Sequence, residues 1–125
     1  MLNILALFTG GGCGALMRYL TCILFMKYFP VNLPLSTFFV NIAGSLLIGF
    51  LYVFFIDKQD LNPAVKLALT AGFCGGLTTF STFSLELFEM VKSAQFLNAL
   101  LYVLISVILG IIAVMIGAGI AKFCI

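Results

Sequence analysis

Two phenyl rings and three hydroxyl side chains follow one another in the second half of the chain: Phe80, Ser81, Thr82, Phe83 and Ser84. On a helix, Phe83 lies about 60° from Phe80, and Ser84 lies about 40° from Phe80 on the other side. Ser81 sits at the margin of that face and Thr82 points nearly opposite. Ring edges are weakly positive, and hydroxyl groups donate hydrogen bonds. Such a face can hold a small anion weakly, as conduction requires, although paired phenylalanines commonly face lipid or a core.

Three more polar side chains interrupt apolar sequence. Asn41 is flanked by apolar residues, so its amide should face either a neighbouring helix or an ion path. Arg18 has three open readings: its side chain snorkels to the surface, caps backbone carbonyls, or forms an anion-attracting vestibule. Glu86 follows the ring face and lies nearer the end of the same stretch.

Other kinds of chemistry find no support in the sequence. There is no histidine, and we see no nucleophile beside a base, no phosphate-binding loop and no cluster of metal ligands. The four cysteines show no CxxC spacing and lie in hydrophobic segments, which is typical of small packing residues. We therefore expect neither an enzyme nor an organic cofactor, and no nucleic-acid partner.

The elements that carry these residues are membrane spans. The chain is 64% hydrophobic and only 8% charged, and residues 28–56 and 93–121 contain no Asp, Glu, Lys or Arg. A bilayer core needs about 20 apolar residues as a helix. The sequence therefore predicts one all-α transmembrane domain, residues 1–125, in a lipid bilayer. Its four spans are predicted at about 3–29, 35–56, 65–91 and 96–123.

The third predicted span contains a weak point at its middle. Gly72, Gly75 and Gly76 are followed by Thr78 and Thr79, and each interior glycine costs a helix about 1 kcal/mol relative to alanine. We expect a break near 75–79. Freed carbonyls there suit a cation, whereas a fresh helix start suits an anion. The alternative is a glycine-rich crossing point that stays helical.

Small residues recur at four-residue spacing in every span, a pattern that favours close helix packing. They do not say whether the packing lies within one chain or between subunits. The pairs and triplet concerned are Gly10 and Gly14, Ser45 and Gly49, Gly72 and Gly76, and Ala113, Gly117 and Ala121.

Basic residues give no clear orientation. Four spans put Lys58, Lys66 and Lys122 on one side, and Lys27 and Lys92, with Arg18 as a third candidate, on the other. Because cytoplasmic loops normally collect basic residues, this balance leaves two readings: one orientation set by weak cues, or insertion both ways.

A bundle of four helices has little room for an ion path inside one subunit, which hints at an oligomer.

Three motifs resemble the Fluc fluoride channels, also called the CrcB family. The sequence GGGCGALMRY at 10–19 is similar to the family's GGxxGAxxRY, and TFFVNIAGS at 37–45 is similar to its TxxVNxxGS. The most specific match is GFCGGLTTFSTF at 72–83. The fourth span matches mainly in hydropathy. Ser36 departs from the glycine expected before the threonine, a change at a helix start.

The resemblance implies a fold of four transmembrane helices per subunit, with the third broken in mid-membrane, in an antiparallel dual-topology homodimer with two pores. It implies a passive channel that expels toxic fluoride across the plasma (inner) membrane of a prokaryote. Carbonyls of Gly75 and Thr78 from both copies would bind a structural sodium ion at the dimer centre. Arg18 and Thr37 would be vestibule or structural residues. The fluoride path would comprise Asn41, Phe80, Ser81, Thr82, Phe83, Ser84, Glu86 and Tyr102.

Three rival functions make different demands on the sequence. A dual-topology multidrug exporter needs a membrane-embedded acid in the first span, where the only charge is Arg18. A non-conducting subunit that anchors a partner needs no helix break. A cation channel would rely on Glu86 and Glu89, which lie near a span end and are poor midplane ligands.

Overall fold

The computed structural model describes residues 1–58 and 60–125, and helices account for 86% of the residues. Within those two ranges no strand occurs. The elements in chain order are α1 (Leu2–Tyr28), α2 (Leu35–Asp57), α3 (Pro63–Leu67), a π-helix (Ala68–Cys74), α4 (Gly75–Leu77), α5 (Phe80–Lys92) and α6 (Phe96–Cys124).

Three of these helices, α1, α2 and α6, are long and apolar enough to cross a membrane, counting only the described residues. Their bounds lie within a residue or two of the predicted first, second and fourth spans, because long uncharged stretches fix where a helix can be immersed. The predicted third span is divided. Its first half, residues 63–77, runs through α3, the π-helix and α4, and its second half is α5.

The first half of the third span begins with a well-defined cap. The Asn62 side chain accepts a hydrogen bond from the Ala64 N–H at 2.9 Å, and Pro63 occupies the first helical turn. Proline is favoured there because its missing N–H would have no helical partner. The wider π-helical turns then follow at Ala68–Cys74, a form that is rare and often marks functional sites.

The helices pack as two pairs: α1 against residues 63–77, and α2 against α6. Glycines allow the backbones to touch. A methyl group on Gly14 would clash with the Phe73 carbonyl, and one on Gly76 would clash with the Gly11 carbonyl. The second pair has the same design, because a methyl on Gly117 would clash with the Leu46 carbonyl. These small-residue stripes therefore serve packing within one chain.

The turn between α5 and α6 has left-handed geometry at Ala94, where φ is 58°. The Gln95 N–H bonds the Met90 carbonyl at 2.8 Å, and the Ala94 N–H bonds the Val91 carbonyl at 3.0 Å. This pair of bonds is a Schellman motif, which satisfies the last carbonyls of α5. Glycine usually occupies the position of Ala94 because a side chain is strained there.

Candidate functional site

The helical path stops at Thr78 and Thr79, which are both extended, and starts again at Phe80. In an unbroken helix the Thr79 N–H would bond the Gly75 carbonyl, and the Thr82 N–H would bond the Thr78 carbonyl. Neither bond forms here. Backbone groups released inside a bilayer need other partners, so the polar side chains around this interruption must supply them.

Asn41 on α2 supplies two of the replacement bonds. Its Oδ1 accepts from the Thr79 N–H at 2.8 Å, and its Nδ2 donates to the Thr79 carbonyl at 3.2 Å. Thr79 is buried, with 9% of its surface exposed, so these bonds replace water that cannot reach it. An amide nitrogen has two hydrogens, so one N–H of Asn41 is left to donate elsewhere.

Thr79 also caps the new helix. Its Oγ1 accepts from the Thr82 N–H at 3.2 Å and donates to the Thr82 Oγ1 at 3.1 Å. The Ser81 Oγ lies 3.4 Å from the same Thr79 oxygen. A threonine at this position satisfies one of the amides that begin a helix without partners. The hydroxyls of Ser81 and Thr82 are thus gathered at the start of α5.

Arg18 on α1 reaches the interruption as well. Its Nη1 donates to the Thr78 carbonyl at 3.2 Å, and its side chain is partly buried. Of the three readings of Arg18, the structure contains the carbonyl cap. The contact joins residues 60 positions apart, so only the packing of α1 against the third span brings them together.

The two phenyl rings of the candidate face differ in their surroundings. The ring centroids of Phe80 and Phe83 are 6.1 Å apart, with 43° between the ring planes. Phe83 meets Tyr102 of α6 edge to face at a centroid distance of 4.9 Å, and Tyr102 is itself buried. Phe80 is 79% exposed in the single chain. One ring is therefore held inside the subunit, and the other projects from it.

Glu86 lies one turn beyond Phe83, and its carboxylate accepts two hydroxyl hydrogen bonds. Thr37 of α2 donates to Oε1 at 2.5 Å, and Tyr102 donates to Oε2 at 2.9 Å. Thr37 and Tyr102 are both buried. Hydrogen bonds to an ionised acceptor are stronger than neutral ones, so this triad joins α2, α5 and α6 at one point.

A cavity of about 550 Å³ opens beside the interruption. It contains Asn41, Phe80 and Phe83, and it also contains Ser106 of α6, whose hydroxyl is buried with no hydrogen-bond partner in the described part of the chain. The remaining lining residues are Gly44, Ser45, Ile48, Thr70, Ala71, Cys74, Gly75, Thr78, Thr79 and Val107. Sequence reasoning missed Ser106, because a single serine on an apolar helix is common and carries no signal of its own.

The other predicted site residues lie outside the first cavity. Arg18, Thr37 and Thr82 line a second cavity of about 290 Å³ between α1, α2 and the start of α5. It shares Thr79 with the first cavity. Ser84 is half-buried on α5. The structure therefore brings the rings and Asn41 together in one space, and Arg18 into a neighbouring one.

The two carbonyls expected to bind sodium differ in the hydrogen bonds they already accept. Because the Thr79 N–H turns to Asn41, the Gly75 carbonyl is released from the helical ladder and can coordinate a cation, as unwound carbonyls do in transporters. The Thr78 carbonyl already accepts from the Arg18 guanidinium at 3.2 Å. The Thr78 oxygen has two lone pairs, so its bond to Arg18 leaves one of them open, and the residues present are compatible with a cation at both carbonyls.

Three apolar helices that can cross a bilayer, together with a helical stretch interrupted at Thr78 and Thr79, define a multi-pass α-helical membrane protein. The chain belongs to the CrcB family. It matches the family described as "CrcB-like protein, Camphor Resistance (CrcB)" over residues 5–118. That match covers all three of the motifs on which the resemblance rests.

Bacterial relatives named "Fluoride-specific ion channel FluC" align along nearly the whole chain. The protein from Flavobacterium psychrophilum is 46% identical over 114 residues, covering 90% of this chain and 91% of its own length. The one from Hydrogenobaculum sp. is 41% identical and covers 93% of this chain and 94% of its own length. The one from Gloeothece citriformis is 43% identical and covers 98% of each. The names of these relatives point to a channel rather than to an enzyme.

Proposed function

We propose that this protein is a passive, fluoride-selective ion channel of a prokaryotic inner membrane. The observation that carries the proposal is the cavity at the interrupted span, where two phenyl rings and a partly free amide share one space. The named relatives support the choice of ion, since each is called a fluoride-specific channel.

The chemistry of the cavity suits a small halide. Phe80 and Phe83 line it, and the edges of such rings carry partial positive charge. The remaining N–H of Asn41 and the Ser106 hydroxyl can donate hydrogen bonds. No full positive charge lines this space among the residues described for it. An anion is then bound strongly enough to leave water and weakly enough to move on.

One turn beyond Phe83, hydrogen bonds from Thr37 and Tyr102 keep the Glu86 carboxylate from contacting the ion. Both hydroxyls point at the carboxylate of Glu86, so that carboxylate is engaged within the subunit. Glu86 is thereby a poor free ligand for a passing cation, which argues against a cation path here. Ser81, Thr82 and Ser84 provide further hydroxyl groups along α5.

An antiparallel homodimer with two pores forms the second part of the proposal. Phe80 is largely exposed in one subunit, and a ring that faces an ion path needs a wall on its other side. A second copy can supply that wall, and the balanced basic residues are compatible with insertion in both directions. In such a dimer the Gly75 and Thr78 carbonyls of the two copies would hold a structural sodium ion, which would supply positive charge at the centre.

Ion efflux from liposomes tests the proposed conduction. The purified protein should release fluoride but little chloride when valinomycin carries potassium as the counter-ion. The chloride measurement is the control for leaky vesicles. Equal release of both anions, or release of neither, would remove the proposal.

Two substitutions test the ring path. Phe80→Ile and Phe83→Ile remove the ring edges while keeping the side chains apolar, so each should slow fluoride efflux. Phe88→Ile is the matched control, because Phe88 lies on the same half-helix and is exposed. Wild-type efflux from both test variants would refute a role for the rings.

Single-cysteine labelling tests dual insertion. A cysteine placed in the α1–α2 connection, in a background without native cysteines, should react with an impermeant reagent in about half of the molecules in intact cells. Full reaction or full protection would show one orientation and would exclude an antiparallel dimer.

A further inference from the structure

Two serines of the first cavity have hydroxyl groups without a hydrogen-bond partner in the described part of the chain. Ser45 of α2 and Ser106 of α6 both line this cavity. Within a helix, a serine or threonine hydroxyl commonly bonds the carbonyl four residues earlier, as Thr9 and Thr70 do here at 2.9 and 2.7 Å. Neither serine makes such a bond, or any other, to a described residue. Both hydroxyls can therefore donate to an occupant of the cavity.

Ser45 lies one helical turn beyond Asn41 on α2. The two residues are four positions apart, so their side chains share one face of the helix, and both line the same cavity. Asn41 retains one N–H after its bond to the Thr79 carbonyl. The α2 face therefore carries two donors in succession, first an amide and then, about 6 Å further along the helix axis, a hydroxyl.

Gly110 of α6 leaves space in front of Ser45. A methyl group built on Gly110 would lie 3.8 Å from the Ser45 Oγ, which is an ordinary contact distance. The Ser45 hydroxyl thus lies beside α6 at a position where α6 carries no side chain. Ser106 stands one turn before Gly110 on the same face of α6, so its hydroxyl borders this space from the other helix.

We propose that Ser45 is a further anion-binding residue of the path, which holds fluoride together with Ser106 one turn beyond the Asn41 amide. The inference rests on the proposed function, because it extends the fluoride path of that channel. A fluoride ion that has lost water needs replacement donors, and two hydroxyls provide them without a fixed positive charge that would trap the ion. A buried hydroxyl without a partner costs free energy, and a passing anion supplies the partner that the Ser106 hydroxyl lacks.

Fluoride efflux and thermal unfolding of Ser45→Ala together test this role. The substitution removes one donor to the ion, so efflux from liposomes at low protein density should slow by about tenfold, as expected for one hydrogen bond to a charged group. Because the hydroxyl binds no described residue, the unfolding temperature, followed by helical circular dichroism, should remain that of the wild type. Slower efflux at unchanged stability distinguishes an ion contact from a structural one.

Two matched variants control this test. Ser45→Thr keeps the hydroxyl, and the space beside Gly110 accommodates its extra methyl group, so efflux should remain close to that of the wild type. Thr9→Ala removes an exposed hydroxyl that donates to the Leu5 carbonyl at 2.9 Å and should leave efflux unchanged.

Three results would overturn the role of Ser45. They are wild-type efflux from Ser45→Ala, a clearly lower unfolding temperature in that variant than in Thr9→Ala, and equally slow efflux from Ser45→Ala and Ser45→Thr. The wild type separates the two proposals. Absence of fluoride efflux from it contradicts the channel itself, whereas wild-type efflux that persists in Ser45→Ala contradicts only the role of Ser45.

Discussion

Replacing Asn41 of α2 with leucine should destabilise the protein, because it removes the hydrogen bonds that hold the backbone of Thr79 just before α5. Leucine has the same branching pattern as asparagine and suits an apolar surrounding, and the cavity that Asn41 lines has room for the larger methyl groups. The substitution abolishes the hydrogen bonds of 2.8 and 3.2 Å that join the Asn41 side chain to the N–H and carbonyl of Thr79.

The size of the effect follows from what each group of Thr79 retains. The N–H is left without a partner in a buried position, which costs about 1–3 kcal/mol, and the carbonyl loses a bond worth about 1 kcal/mol. The extended conformation of Thr79 keeps its N–H away from the Gly75 carbonyl, so the helical bond cannot simply return. Better burial of the leucine offsets part of this destabilisation. We expect a net destabilisation of about 2–3 kcal/mol.

The assay is reversible unfolding in mixed micelles with increasing denaturing detergent, followed by helical circular dichroism. Asn98→Leu is the matched control, because Asn98 is exposed and donates to the nearby Gln95 side chain at 3.1 Å, with no bond to another helix among the described residues. It should change stability by about 0.5 kcal/mol or less. A destabilisation by Asn41→Leu no larger than that of this control would refute the idea that Asn41 supports the interrupted backbone.

Other contacts give further predictions, all measurable by the same unfolding assay. Tyr102→Phe removes the hydroxyl that donates to Glu86 at 2.9 Å and should cost about 1–2 kcal/mol; unchanged stability would exclude a stabilising triad. Gly14→Ala forces a methyl group onto the backbone of the neighbouring helix and should lower the free energy of unfolding by about 2 kcal/mol or more. Gly12 has open space around it, so Gly12→Ala should raise that free energy by up to about 1 kcal/mol. Equal effects of the two substitutions would contradict the packing described. Ala94→Gly relieves a left-handed φ of 58° and should stabilise by about 1 kcal/mol, and a lower stability would count against the strain.

Hydropathy was enough to place the long helices, because immersion in a bilayer leaves few choices for an uncharged stretch. The interruption expected near residues 75–79 falls at Thr78 and Thr79, where glycines weaken the helix before them and a threonine can cap the helix after them. Both signals are local, so they are visible without knowing any tertiary contact.

The side chains that bind the interrupted backbone could not be predicted from local sequence. Asn41 meets Thr79 across 38 residues, and Arg18 meets Thr78 across 60 residues, so each contact depends on how the helices pack. The sequence left open whether Asn41 contacts a helix or an ion, and whether Arg18 snorkels, caps or attracts. The predicted fluoride and sodium contacts stay predictions.

The two glycine-lined helix pairs have a mechanical consequence. Within each pair, backbone meets backbone at the glycines with no flexible side chain between, so each pair should move as a rigid unit. The cavity with the rings lies along the seam between α2 with α6 on one side and residues 63–77 on the other. A small sliding movement between the two units would therefore change the width of this space first.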